Sequence, residues 1–358
     1  MLNKLKILLV FVPISFGFYY FQDGSVWSFI TSALAIIPLA ALMSTLTDQL
    51  RSYLGSSWGG LINVTFGNAT ELIISLFAII DGLLNVVKAN ITGSILMNLL
   101  LVLGMSFFLG GLKHNRQSFD KLLAITNSAM LMLAVIGMLI PAIFYFASPN
   151  IKTIVLGKLS LGVALVLFST YLASIYFTLI FHEREKKERN EQTGEHAEPT
   201  GKEGSKKGEV VKCIVYLFII TAFIAFEANA LVGSIGVIQE RFNISPVFIG
   251  IIILPLISNV AENITAINMA RTDKIDLSIT IAIGSSIQVA LFLVPLLIFI
   301  SHLIGHPMNV LFNLLEISSI GLSVLAINVV YLQGKSNWFE GLQLIAAYLI
   351  IAIAFYFA

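Results

Sequence analysis

Charge is scarce in this chain. Aspartate, glutamate, lysine and arginine make up 11% of its 358 residues, against roughly 25% in soluble domains. Hydrophobic residues reach 57% and the mean hydropathy is +0.92, more apolar surface than a soluble fold of this size can bury. Cysteine occurs once, at Cys213, which excludes an internal disulfide framework and a multi-thiolate metal centre. A surplus of either sign of charge is missing too. The formal net charge of +1 leaves no electrostatic footprint for nucleic acid. The sequence contains no H-E-x-x-H metal motif, no phosphate-binding loop and no nucleophile elbow, so nothing points to an enzyme or a resident cofactor. His114, His182, His196, His302 and His306 fall in predicted loops or at helix ends and read as solvated.

What the chain has in abundance is long apolar runs. A membrane-crossing helix needs about 20 mostly apolar residues. Eleven segments qualify, at roughly 4–22, 25–46, 60–81, 88–110, 121–147, 153–181, 210–238, 245–270, 277–303, 309–332 and 337–357. They are too long for strands of a membrane barrel and show no period-2 alternation. The expectation is an all-α integral membrane protein with eleven transmembrane helices. Lys4 and Lys6 precede the first run as in a signal peptide, but no small-residue cleavage site stands near Asp23, so the run is kept as a helix.

Orientation follows from the basic residues. With the N-terminus inside, the short cytoplasmic loops and ends hold Lys4, Lys6, Arg51, Lys113, Arg116, Lys121, Arg271, Lys274 and Lys335, against Lys88, Lys152, Lys158 and Arg241 outside. That bias predicts a cytoplasmic N-terminus. The short loops and the absence of a targeting segment point to a prokaryotic plasma membrane.

One stretch is not membrane. Residues 182–209 hold eight acidic and seven basic residues and almost nothing apolar, so they cannot bury a core and read as a solvated linker. Regulatory cation binding by its glutamates is the bolder reading. The linker divides a helix at 1–24 and a five-helix segment at 25–181 from a second five-helix segment at 210–358. The two segments share a spacing. Asn68 and Asn259, Glu71 and Glu262, Gly93 and Gly284, and Ser94 and Ser285 are each 191 residues apart. The first run thus stands outside an internal repeat of five helices. An odd number of spans inverts the second copy, and inverted repeats with a site at their interface characterise secondary transporters.

Glu71 and Glu262 lie inside predicted spans. A carboxylate at membrane depth costs about 2.5 kcal/mol or more by insertion scales and marks ion pathways or proton relays. Each has an asparagine three residues earlier, on the same helix face. Asn68, Glu71 and Ser75 form one polar stripe; Asn259 and Glu262, with Ser258 and Asn263 beside them, form its counterpart. Asn90, Ser94 and Asn98 on the next helix, and Ser285, Ser286 and Gln288 on its partner, can close a small oxygen-rich chamber. Small polar residues that serve only helix packing are the bland alternative. Pro255, seven residues before Glu262, frees a backbone carbonyl one turn earlier. An all-oxygen chamber with two carboxylates suits Ca²⁺, which takes six to eight oxygens in flexible geometry, better than Mg²⁺. An empty, doubly ionised pair in low dielectric is unfavourable, so the pair is either metal-loaded or protonated. Exchange of cation for protons follows. Two further acids lie in the spans without an acidic partner at the 191 spacing. Glu227 is a candidate proton relay or gating residue, whereas Glu316 reads as a helix-packing acid. The segment 48–60 reads as a short amphipathic helix at the membrane face.

The segments GNATELIISLFAI (67–79) and SNVAENITAI (258–267) resemble the two signatures of the calcium/cation–proton exchanger family. GSILMNLLLVLGMSFFLGG (93–111) and GSSIQVALFLVP (284–295) resemble the helices that follow them. The resemblance covers nearly the whole chain. It implies helix 1 plus two inverted five-helix repeats, and Ca²⁺ export in exchange for H⁺ by alternating access. It also implies that Glu71 and Glu262 bind cation or protons, with Asn68, Asn98, Ser94, Asn259, Ser285 and Gln288 at positions the family uses around the site. Ca²⁺ and H⁺ are then substrates, the bilayer is the surroundings, no nucleic acid partner is expected, and a homo-oligomer is compatible with the sequence. A departure is Ser258 where the first motif has Gly67. A Na⁺/H⁺ or K⁺/H⁺ antiporter on the same scaffold is the runner-up. A cation channel, which usually builds its filter by oligomeric symmetry, is a more distant one.

Overall fold

The computed structural model describes residues 6–21, 24–148, 152–193 and 203–358. The fold is almost entirely helical. In chain order the helices are α1 (Phe11–Phe21), α2 (Val26–Gly67), α3 (Ala69–Ile80), α4 (Leu84–Leu96), α5 (Leu103–His114), α6 (Lys121–Ala147), α7 (Thr153–Thr193), α8 (Glu203–Gly233) and α9 (Ile235–Phe242). They continue with α10 (Pro246–Phe248), α11 (Leu254–Ser258), α12 (Val260–Arg271), α13 (Ile275–Gln288), α14 (Val294–Leu303), α15 (Leu314–Gln333) and α16 (Trp338–Phe357). Among the described residues, eight helices are long and apolar enough to cross a membrane, or nine if the bent pair α10–α12 counts as one span. Two shorter apolar helices, Ile7–Phe21 and Ala69–Ile80, complete the set.

Several runs are not unbroken helices, and the interruptions are ordered. α2 ends at Asn68 (φ −106°, ψ 22°), and α3 starts again at Ala69. α11 ends at Asn259 (φ −97°, ψ 8°), and the chain bends by 65° into α12. Both asparagines occupy the sparsely populated bridge region, which breaks the hydrogen-bond ladder. α4 passes into α5 through a π-helical turn at Met97–Val102, and α13 into α14 through another at Val289–Leu293. A third π turn, Ile249–Ile253, precedes Pro255. Proline lacks the N–H that the carbonyl four residues earlier would accept. That carbonyl, Ile251 O, instead faces Gly93 on α4, where a Cβ would come within 2.0 Å of it. Only a glycine allows the two backbones to approach so closely.

Burial is uneven in a way that locates the centre. In the most apolar 18-residue stretch of each span, 72% of the residues are buried in Val26–Leu54 and Leu84–His114 and 67% in Ile275–Leu303, whereas only 28% and 22% are in Ile154–Thr178 and Gly208–Phe242. The exposed faces of the outer helices are apolar, as at Ile140, Phe177 and Phe218, which is the pattern of a lipid-facing surface. At one end, the strands β1 (Arg116–Ser118) and β2 (Lys335–Asn337) pair antiparallel, Arg116 opposite Asn337. The pairing fastens the end of α5 to the start of α16, and these helices pack closely through Gly104, Gly111 and Gly341.

One expectation needs correcting. Residues 48–60 are not a separate helix, because α2 runs on without interruption from Val26 to Gly67, through Pro38. The linker at 182–209 is helical at both of its ends, within α7 and α8, and residues 194–202 lie outside the described residues.

Candidate functional site

The breaks at Asn68 and Asn259 set the positions of the two glutamates. Each asparagine is the cap residue of the helix that follows, and Glu71 and Glu262 sit in the first turn of α3 and α12. An asparagine at a helix cap ordinarily accepts a hydrogen bond from its own first turn. Neither does so here. The Asn68 amide donates instead to Gln288 Oε1 on α13 (2.8 Å). The Asn259 amide donates to Ser94 Oγ on α4 (3.2 Å). Each cap residue has turned away from its own helix and toward the other half of the chain.

The remaining predicted residues join the same cluster. Asn98, in the π turn after α4, donates to Ser285 Oγ on α13 (3.1 Å). Asn90 donates to Ser75 Oγ (3.3 Å), tying α4 to α3. Glu71 is 2% exposed, stands beside the Ser258 hydroxyl and is within electrostatic reach of Glu262. Glu262 faces Ser285. The structure therefore brings together Glu71, Glu262, Asn68, Asn259, Ser94, Asn98, Ser285 and Gln288, drawn from both halves.

The donor balance of this cluster is informative. The amides of Asn68, Asn90, Asn98 and Asn259 donate to neighbouring oxygens and that of Asn263 to the Met97 sulfur, while Asn68 Oδ1, Glu262 Oε2 and Asn263 Oδ1 are buried without a hydrogen-bond partner. Buried acceptors are ordinarily satisfied, and each exception calls for an explanation. Unpaired amide and carboxylate oxygens are the ligands a hard cation takes. Among the described residues no group of three or more His, Cys, Asp or Glu side chains is placed to hold a metal ion, so any ion held here draws on amide and hydroxyl oxygens as well as the two carboxylates.

Glu227 lies elsewhere. It is fully buried on α8 and accepts a hydrogen bond from Ser15 Oγ on α1 (2.5 Å); the Ser15 hydroxyl also bonds that of Ser32 on α2 (2.9 Å). Glu316 closes a capping box with Asn313 at the start of α15, in keeping with a packing role. Sequence reasoning missed Ser15 and Ser32, which are ordinary small polar residues until the fold sets them against Glu227. It also missed Tyr171 on α7, which is 5% exposed and lies beside Gln288. A tyrosine in an apolar helix carries no signal of that neighbour.

Comparison with known proteins shows the family. The family described as "Sodium/calcium exchanger protein" matches residues 24–180 and 212–357, and the chain belongs to that family. It is 40% identical to a protein of Synechocystis named "Ca(2+)/H(+) antiporter", over 98% of this chain and 96% of the other. It is also 40% identical to "Ca(2+)/H(+) antiporter ChaA" of Bacillus subtilis, over 99% of both chains. The solved structure of native YfkE superposes with a TM-score of 0.83 at 36% identity, covering 99% of this chain and 100% of that one.

Proposed function

We propose that the protein is a secondary active Ca²⁺/H⁺ antiporter in which Glu71 and Glu262 carry either one cation or protons between alternating inward-open and outward-open states. The observation that carries this reading is the shared chamber: two first-turn glutamates, with cap asparagines turned across to the opposite half and buried oxygens left without donors. The names of its full-length relatives point to the same pair of substrates.

The exchange follows from electrostatics. Two ionised carboxylates in a low-dielectric chamber repel each other, and their desolvation is costly. Bound Ca²⁺ cancels both charges; two protons do the same. Only a neutralised chamber can reorient at low cost, so cation crosses one way and protons the other. No separate proton site is needed for the coupling.

The layout we favour is eleven helices, with helix 1 outside two inverted five-helix repeats and the N-terminus in the cytoplasm. Supporting it, the asparagine breaks and the π turns recur at matching positions in the two halves. The two family-matched segments also fall on either side of the charged linker. In a bacterial plasma membrane, inward proton flow would then expel Ca²⁺.

The test is radiolabelled Ca²⁺ uptake into proteoliposomes made acidic inside. Uptake that stops when a proton ionophore collapses the gradient, and that excess Mn²⁺, Na⁺ or K⁺ does not displace, supports the proposal. Gradient-driven movement of Na⁺ or K⁺ in place of Ca²⁺ would keep the antiporter and reject the ion. Cation flux indifferent to the pH gradient would indicate a channel.

A further inference from the structure

Away from the chamber, at the end of the molecule where β1 and β2 pair, lies an open pocket of about 490 Å³ lined by His114, Asn115, Arg116, Asn337 and Trp338. We propose that it binds the phosphate of an anionic phospholipid headgroup.

The lining is rich in donors and contains no carboxylate. Arg116 offers a guanidinium fork, whose planar geometry matches phosphate oxygens. Its side chain is exposed and makes no hydrogen bond or ion pair within the described residues. His114 is held in place through one ring nitrogen, at 3.1 Å from the Arg271 carbonyl, which Lys113 also caps at 3.1 Å. The neighbouring acids are engaged. Asp273 accepts from Gln117 (2.9 Å) and Asp276 from the Asp120 backbone (2.8 Å). Glu340, which lies within electrostatic reach of Arg116, is taken up in a capping box with Asn337. Among the described residues none of these acids forms an ion pair with Arg116, although Glu340 keeps its charge within electrostatic reach of it.

A free phosphate would need only these donors. The surroundings point to a lipid. Trp338 and Phe339 are 43% and 53% exposed at the pocket, and the exposed apolar face continues along α16 through Leu342, Leu349 and Ile353. An amphipathic tryptophan at the head of an apolar helix face is the arrangement found at membrane–water interfaces. A phosphate seated against Arg116 would leave its acyl chains lying along that face. Basic pockets between transmembrane helices are recurrent headgroup sites. This one spans α5 and α16, so an occupant would help to fasten the two together.

Tryptophan fluorescence tests the assignment. The full chain carrying Trp27→Phe and Trp58→Phe leaves Trp338 as the sole reporter. It is reconstituted into phosphatidylcholine doped with brominated phosphatidylglycerol or, at equal bromine content, brominated phosphatidylcholine. Enrichment of the anionic lipid by about fivefold at the pocket is expected from one well-placed basic group, giving stronger quenching by the phosphatidylglycerol. That excess should vanish in Arg116→Gln, largely persist in Arg116→Lys, and resist millimolar inorganic phosphate. Equal quenching by the two lipids in the parent chain would overturn the proposal, as would an excess that survives Arg116→Gln. Loss of the excess on adding inorganic phosphate would assign the pocket to a soluble anion instead.

Discussion

The two asparagines of the repeated N-x-x-E decide what the glutamates can do. A cap asparagine bonded to its own helix would satisfy the first turn and leave the chamber with fewer ligands. By donating to Gln288 and Ser94, Asn68 and Asn259 hold the opposite half at hydrogen-bonding distance, and Asn68 Oδ1 is left buried without a donor. A hydrogen bond of this kind contributes about 1 kcal/mol, so Asn68→Ala should weaken apparent Ca²⁺ affinity by about five- to tenfold while leaving some exchange. Glu71→Gln and Glu262→Gln should each reduce exchange to background, because a neutral amide can neither balance the divalent charge nor carry a proton. In the wild type, apparent Ca²⁺ affinity measured across a pH series should fall as pH falls, since protons compete with Ca²⁺ for the same carboxylates. Affinity independent of pH would contradict a shared site. Both glutamates and their partners were legible in the sequence, because polar residues are rare in apolar spans and these recur at a fixed spacing. Tyr171 and Ser15 were not, since nothing local distinguishes a tyrosine set beside Gln288, or a serine bonded to Glu227, from one with no such neighbour.

At the scale of the element, the sequence conveyed the spans better than their interruptions. N-x-x-E reads as a polar stripe on one continuous helix, whereas the structure breaks the helix at each asparagine. Pro255 hinted at a freed carbonyl, and its destination appears only in the packed structure, where Ile251 O meets Gly93. The segment 48–60 misled for the opposite reason: a polar interval suggested a separate helix, and α2 runs straight through it. The glycines give a sharp comparison. Gly93 and Gly284 are repeat equivalents, yet a Cβ on Gly93 meets backbone at 2.0 Å, while one on Gly284 meets nothing within 4 Å. Gly93→Ala must push α4 away from the Ile249–Ile253 turn and should destabilise by about 1–3 kcal/mol, with exchange lost as Ser94 moves. Gly284→Ala should be tolerated, within about 0.5 kcal/mol of wild type or slightly more stable. Thermal unfolding of the two variants in detergent checks this; equal effects would mean that the halves pack alike here.

Across the whole molecule, the spans that carry the chamber residues are the more buried and Ile154–Thr178 and Gly208–Phe242 the more exposed, so the chamber is surrounded by protein more than by lipid. Glu227 joins helices α1, α2 and α8 through Ser15 and Ser32, and it shares no hydrogen bond with the chamber residues among the described residues. A gating role for it predicts a particular signature. Glu227→Gln should lower the maximal rate of exchange several-fold with the Ca²⁺ KM unchanged, because the chamber ligands remain in place. A changed KM with an unchanged rate would tie Glu227 to the chamber instead.

The central claim, that one pair of carboxylates alternates between Ca²⁺ and protons, is open to a direct measurement. Ca²⁺ is added to the solubilised protein in weakly buffered solution at a pH where the empty chamber is protonated, and the protons released are counted. Wild type should release protons in proportion to Ca²⁺ bound, and Glu71→Gln and Glu262→Gln should release none. Ca²⁺ binding to wild type without proton release, or release undiminished in both variants, would place the exchanged protons on other groups and contradict the account.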